Sequence, residues 1–226
     1  MKKINNIIRY VCCCGLILHL SSCYETITDF GFDGRVNGRL VDPAGNIISG
    51  DVTTEDLVVL ALGEGEDEPQ RIRVLGDGTF ENTHLFPQVY TLTVSGAVEV
   101  TQDYTVDLNG NAVTQDIVAT PFISLPEPEL AGNPTENSVS INFEMTENDG
   151  HLAEERLVYV STVHYPGQST GSGPYWNTIR MELDENQGSA TIEGLESSTV
   201  YYVRIAARAE GTNFWNMSDQ LMFETP

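Results

Sequence analysis

Gly167-Gln168-Ser169-Thr170-Gly171 has the spacing of a nucleophile elbow, in which a serine held on a sharp turn attacks a carbonyl carbon. That chemistry needs a strand before the serine and a helix after it. Here Tyr165-Pro166 precede the pentapeptide and Ser172-Gly173-Pro174 follow, a stretch that cannot form a helix, so the pattern reads as loop composition. His84, His151 and His164 stand alone, with no two at i, i+4 and no cysteine near to complete a zinc set. Asp107-Leu108-Asn109-Gly110-Asn111 starts like a calcium loop, but Ala112 stands where the sharp turn needs Gly and Val118 where the bidentate Glu belongs. No pair among the 33 acidic residues stands out as a general acid and base, and no glycine-rich phosphate cradle precedes a helix. The expectation is a chain with no catalytic residue, no metal and no cofactor.

Aromatic side chains are the better candidates. The apolar face of a sugar ring stacks on an exposed aromatic ring while neighbouring polar groups bond its hydroxyls. Tyr165, Tyr175 and Trp176 flank a Gly/Ser/Pro loop over 164–174, and Asn213, Phe214, Trp215 and Asn216 occupy a turn between two late strands. Trp215 is the first candidate, because Asn213 and Asn216 beside it carry both donors and acceptors. The competing expectation is that one or both Trp plug the ends of a core.

Charge narrows the ligand. The chain has 11 Lys and Arg against 33 Asp and Glu, a net charge of −22. Lys2, Lys3 and Arg9 lie in the N-terminal segment; the rest has eight Arg, no Lys and a net charge of −25. Such a surface repels phosphate backbones, which argues against nucleic acid, and it disfavours polyanionic glycans, which leaves a neutral glycan as the ligand to expect.

The N-terminus has a basic n-region and a short apolar stretch, Val11 to Leu20, too short to span a bilayer. Leu20-Ser21-Ser22-Cys23 follows and resembles the lipobox of bacterial lipoproteins, in which the Cys thiol receives diacylglycerol and becomes the first residue. The resemblance implies a signal peptide over 1–22, lipid attachment at Cys23 and a tether over 23–33. Cys12, Cys13 and Cys14 would leave with the signal peptide, so no cysteine remains for a disulfide, a metal or thiol catalysis.

The remainder reads as strands. Val36, Gly38 and Leu40 alternate with polar residues, Leu57 to Leu62 is an apolar β-prone run, and Val89 to Val94 alternates again. Asn109-Gly110 predicts a two-residue hairpin joining Tyr104–Leu108 to Ala112–Ala119. Leu125-Pro126-Glu127-Pro128-Glu129 reads as a stiff linker, which sets domains at 34–125 and 130–226 around a Pro-rich 126–129. Val139, Ile141 and Phe143 alternate, as do Ile179, Met181 and Leu183. The fold class is all-β, two consecutive antiparallel β-sandwiches.

Leu195, Thr199 and Tyr201 followed by an alternating strand resemble a fibronectin type III domain. That resemblance implies a tyrosine corner at Tyr201, with Tyr201, Val203, Ile205 and Ala207 facing the core and Tyr202, Arg204 and Arg208 facing out. Gly38-Arg39-Leu40-Val41-Asp42, Asp77-Gly78-Thr79-Phe80, Leu85-Phe86-Pro87 and Tyr90-Thr91-Leu92 resemble the carboxypeptidase regulatory-like domains, which are transthyretin-like sandwiches. With Glu81-Asn82-Thr83 and Thr120-Pro121-Phe122, the chain from Cys23 on resembles Bacteroidetes surface lipoproteins whose genes accompany SusC-like transporters and SusD-like receptors of glycan-uptake systems. The resemblance implies an outer-membrane location through the lipid anchor, exposed on the cell surface or facing the periplasm, with SusC/SusD-like proteins as partners. The function to expect is an accessory glycan-binding or docking component; the alternative is a structural spacer or adhesin-like stalk.

Overall fold

The computed structural model describes residues 31–169 and 173–226. The expected signal peptide, Cys23 and most of the tether lie outside the described residues. Phe32–Pro226 is one compact unit, and everything below concerns it.

Its first half is a sandwich of short strands: β1 (Gly34–Val41), β2 (Val58–Gly63), β3 (Gln70–Arg73), β4 (Thr79–Leu85), β5 (Val89–Ser95), β6 (Val98–Glu99), β7 (Tyr104–Asp107), β8 (Ala112–Thr114) and β9 (Ile117–Val118). One sheet runs β3-β2-β5-β7, all antiparallel; the other places β1 between β4, antiparallel, and β8 and β9, parallel. Strand alternation sends Val36 and Leu40 of β1, Val59 and Ala61 of β2, Phe80 of β4 and Leu92 of β5 into one core, all nearly inaccessible to water.

The expected hairpin at Asn109-Gly110 does not form. A type I′ turn needs positive φ at both residues, and of this pair only Gly110 has it, at 74°. The Asp107 carboxylate instead accepts hydrogen bonds from the Asn109 backbone N–H (3.0 Å) and its side-chain amide (2.7 Å), an Asx turn that carries the chain across to the other sheet. There Arg35–Asn37 takes up Ala112–Thr114 in parallel, while Tyr104–Asp107 stays on β5.

The second half has β10 (Thr120–Pro121), β11 (Ile123–Ser124), β12 (Glu129–Leu130), β13 (Ser138–Asn142), β14 (Thr146–Glu147), β15 (Ala153–Ser161), β16 (Ile179–Glu182), β17 (Ser189–Glu193), β18 (Val200–Ala209), β19 (Trp215–Met217) and β20 (Leu221–Glu224). β10 returns to β6 of the first half. Sheet β12-β13-β17 faces sheet β16-β15-β18, and β18 pairs with β19 along one half and β20 along the other. Val139, Ile141, Phe143, Val158, Val160, Ile192, Tyr201, Val203 and Ile205 fill the core between them. Ala207 packs instead with Ile123 and Ala209 in a satellite cluster.

The Tyr201 hydroxyl accepts a hydrogen bond from the Glu196 backbone N–H at 2.9 Å, and its ring stacks on Phe223 with centroids 5.7 Å apart. Tyr201→Phe keeps the stack and orphans the N–H, so it should destabilise the fold by about 1–2 kcal/mol. Urea unfolding of the two proteins side by side measures this; coincident curves would mean the corner carries no energy.

Tyr202 and Arg204 were expected to face solvent. Alternation does turn them away from the second core, but that face is covered: Tyr202, 8% exposed, packs on the His164 ring of the loop after β15, and Arg204, 0% exposed, reaches the first sandwich. Arg204 Nε donates to the Ser218 carbonyl (2.8 Å) and Nη1 to the Gly50 carbonyl (3.1 Å). Its guanidinium also lies 5.7 Å from the Tyr165 ring centroid. Ser49 bridges Met217 in antiparallel fashion, and His151 stacks on Phe122 at 3.9 Å with Nε2 3.2 Å from Glu99. The two sandwiches therefore meet along a polar, hydrogen-bonded seam.

Candidate functional site

The loop after β15 is braced from beneath. Gln168 N–H donates to Asp51 Oδ2 (2.9 Å) and its side-chain amide to Asp56. Ser169 N–H donates to Thr53 Oγ1 (2.9 Å), and Ser169 Oγ donates to the Thr53 carbonyl (3.2 Å). Asp51 is itself buried and holds Thr53 through that residue's N–H and hydroxyl (2.8 and 2.6 Å). The elbow-like serine is thus a loop pin bonded to a backbone carbonyl; Gly171 lies outside the described residues.

Tyr165, a stacking candidate by sequence, is a wedge in the seam rather than a platform. Its backbone sits at φ 53°, its N–H donates to Gln220 Oε1 (2.8 Å), and its ring fills the space over Gly76, where an added Cβ would lie 2.2 Å from Cδ1. Burial, then the fields of Asp77 and Asp219, raise its hydroxyl's pKa. Tyr175 closes a 3-10 turn, Gly173–Tyr175, is half-buried, and donates its hydroxyl to the His164 carbonyl at 3.2 Å. Burial, and then Asp51, push that hydroxyl up as well. Trp176 follows directly and is 72% exposed, the most exposed of the large hydrophobic side chains described. Asn177 beside it is exposed, as is Arg180, which pairs with Glu182 at 3.3 Å.

The second aromatic set is divided. Phe214 is 39% exposed and Asn213 is exposed. Trp215 is half-buried against Leu157, Tyr159, Ala206 and Met217, with the Arg208 guanidinium 5.9 Å from its ring centroid. Asn216 is spent inside: Oδ1 accepts from Ile123 N–H and Nδ2 donates to the Ala97 carbonyl, both at 2.9 Å, and the residue is 4% exposed. Buried with both ends of its amide bonded inside, it is out of reach of a sugar stacked on Trp215, which removes the reason for ranking Trp215 first. Tyr202 pairs with Ser161 at the loop end of β15 and Trp215 pairs with Arg208 at the other end of β18, so the two sets lie roughly 20 Å apart along the strand. They do not form one site.

A concavity of about 460 Å³ that sequence reasoning missed opens beside the seam. Its walls come from three separated segments, 42–48, 121–127 and 216–219. Among the described residues no group of three or more His, Cys, Asp and Glu is placed to hold a metal ion. His84 contacts Thr83 Oγ1 (2.8 Å) and His164 contacts the Gln220 amide (3.2 Å).

No protein-family model matches the chain, and no curated protein matches it. Solved structures do. A DUF3823 family protein from Parabacteroides merdae superposes with a TM-score of 0.67 at 17% identity, covering 84% of this chain and 98% of that one. A DUF3823 family protein from Bacteroides ovatus gives 0.67 at 16%, with 85% and 100% covered. A Bacteroides uniformis structure described as "a putative carbohydrate binding protein" gives 0.66 at 16%, with 86% and 100% covered. At these identities the likeness is one of fold: the whole two-sandwich arrangement is shared.

Proposed function

We propose that the chain is a non-catalytic surface lipoprotein of an outer membrane, anchored through Cys23, that holds neutral glycan on Trp176 as an accessory to a SusC/SusD-like uptake system. The observation that carries the reading is Trp176 itself: a large ring, 72% exposed, on a loop whose base is fixed by four hydrogen bonds to the first sandwich. A rigid base lowers the ordering cost of stacking a sugar on the ring. The description of the Bacteroides uniformis protein agrees with a carbohydrate ligand. The net charge of −25 after the N-terminal segment favours a neutral one.

Isothermal titration against neutral and anionic polysaccharides tests the site. Trp176→Ala should weaken neutral-glycan binding about tenfold or more, while Trp215→Ala changes it by less than about threefold. Binding should hardly respond to salt, because ring stacking involves no net charge. Undiminished affinity in Trp176→Ala, or tight salt-sensitive binding of an anionic glycan, would overturn the reading. The anchor has its own test. Cys23→Ala should move the protein from the membrane fraction to the soluble one, and a variant still extracted only by detergent would show another anchor.

The seam favours a second reading, a rigid spacer or adhesin-like stalk, because Arg204 and Asn216 each reach from the second sandwich to a backbone carbonyl of the first, Gly50 and Ala97, through buried hydrogen bonds. A folded protein that binds no polysaccharide would leave the spacer.

A further inference from the structure

The cleft beside the seam joins an apolar floor to an acidic rim. Ile48, Leu125 and Met217 line it, with Ile47 at its edge 37% exposed. Every ionisable group in its lining is an acid: Asp42, Glu127 and Asp219. The Asp42 oxygens are occupied by their own turn, accepting from Ala44 N–H and Asn46 N–H (2.8 Å each) and the Asn46 amide (2.9 Å). Among the described residues the Asp219 carboxylate accepts only from the N–H of Gln220, at 2.7 Å. Glu127 has neither a hydrogen bond nor an ion pair among the described residues, and partial desolvation together with the charges of Asp219 and Glu129 holds its carboxyl above the usual range.

We infer that this cleft is a docking site for a basic side chain, lysine or arginine, carried on a partner polypeptide. The fit is one of charge and shape together. Lys and Arg lay an apolar stem along a hydrophobic surface and keep the charged head at its edge, which matches an aliphatic floor under Glu127 and Asp219. A cation there would relieve the repulsion between Glu127 and Asp219, neither of which has a direct ion pair among the described residues, although Asp219 also feels the buried Arg204 charge. A divalent metal fits less well, because among the described residues no three potential ligands converge. A second copy of this chain fits poorly too, since it would bring its own net charge of −25. At about 460 Å³ the cleft exceeds one side chain, so aliphatic neighbours of the basic residue would complete the fill. This site is separate from Trp176 and does not depend on the glycan reading.

The test uses immobilised protein and a positional-scanning library of acetylated, amidated hexapeptides with Lys, Arg, Gln or Glu fixed at the third place. The wild type should enrich the Lys and Arg pools at least about tenfold over the Gln and Glu pools. Enrichment should favour Val, Ile or Leu beside the fixed base. It should vanish in Glu127→Gln/Asp219→Asn, whose melting curve checks the fold. It should vanish also in Pro126→Lys, which supplies a cation from the cleft wall, and persist in Trp176→Ala. No enrichment by the wild type, or equal enrichment by the double variant, would overturn the inference. Thermal stabilisation by calcium chloride that the double variant loses would overturn it as well, by making the cleft a metal site.

Discussion

Arg204→Ala should destabilise the molecule by about 3 kcal/mol and split its unfolding into two steps. Arg204 is wholly buried, and desolvation lowers its pKa to about 10 against the opposing fields of Asp51, Asp219, Tyr165 and Tyr175. The charge is therefore costly where it sits, and its Nη2 has no hydrogen-bond partner among the described residues. Its value is in what it satisfies. Nε and Nη1 take up the carbonyls of Ser218 and Gly50, one on each side of the seam, and the guanidinium sits against Tyr165. Deleting the side chain leaves two buried acceptors unpaired, about 1–3 kcal/mol each, and opens a cavity; loss of the buried charge offsets part of that. Arg204→Met keeps most of the packing volume and should cost roughly half as much. Urea unfolding followed in parallel by tryptophan fluorescence, which reports the second sandwich because Trp176 and Trp215 lie there, and by far-UV circular dichroism, which reports both sandwiches, reads both effects. A single transition with an unchanged midpoint in Arg204→Ala would show that the seam is held by something else.

Arg204 also marks what a sequence can and cannot convey. The alternation Tyr201, Val203, Ile205 gives the core face of β18, and those residues fill the core. The same alternation places Tyr202 and Arg204 on the opposite face, but a period of two identifies a face without saying what covers it. The cover over Arg204 comes from Gly50 and its neighbours, 154 residues earlier. Asn109-Gly110 has the composition of a hairpin, yet Asp107 captures Asn109 locally and β1 offers a parallel partner, so tertiary pairing overrides turn propensity. Trp176 and Trp215 look alike as loop aromatics next to polar residues. Only the packing of Met217 and Arg208 against Trp215 separates a half-buried ring from a free one. The acidic cleft has no signature at all in the sequence, because Asp42, Glu127 and Asp219 meet only after both sandwiches have folded and docked.

Gly38→Ala should be the most damaging single methyl in the first sandwich, costing at least about 3 kcal/mol. Gly38 lies in the middle of β1, opposite Phe80, and shares its motif with Arg39, Leu40, Val41 and Asp42. Its φ is not positive, so a side chain meets no torsional strain; the obstacle is space. A Cβ there would lie 1.9 Å from the backbone oxygen of Gln115 and 2.9 Å from the Phe80 ring. Neither neighbour can yield easily. Gln115 N–H is bonded to the Asn37 carbonyl (2.8 Å), and Asp116 is bonded to the Arg39 N–H (2.9 Å), so the segment between β8 and β9 is held against β1 on both sides of the clash. Phe80 is 1% exposed and close-packed in the core. Relief would require β8 and β9 to peel from β1, exposing Ile117 and Ala119. Gly45→Ala is the control: its φ is +90°, but nothing lies within 4 Å of the added carbon, so only the backbone term of about 1 kcal/mol applies. Chemical denaturation of the two variants separates steric from torsional cost. If Gly38→Ala loses no more stability than Gly45→Ala, the parallel strands β8 and β9 are not held as tightly against β1 as their hydrogen bonds indicate.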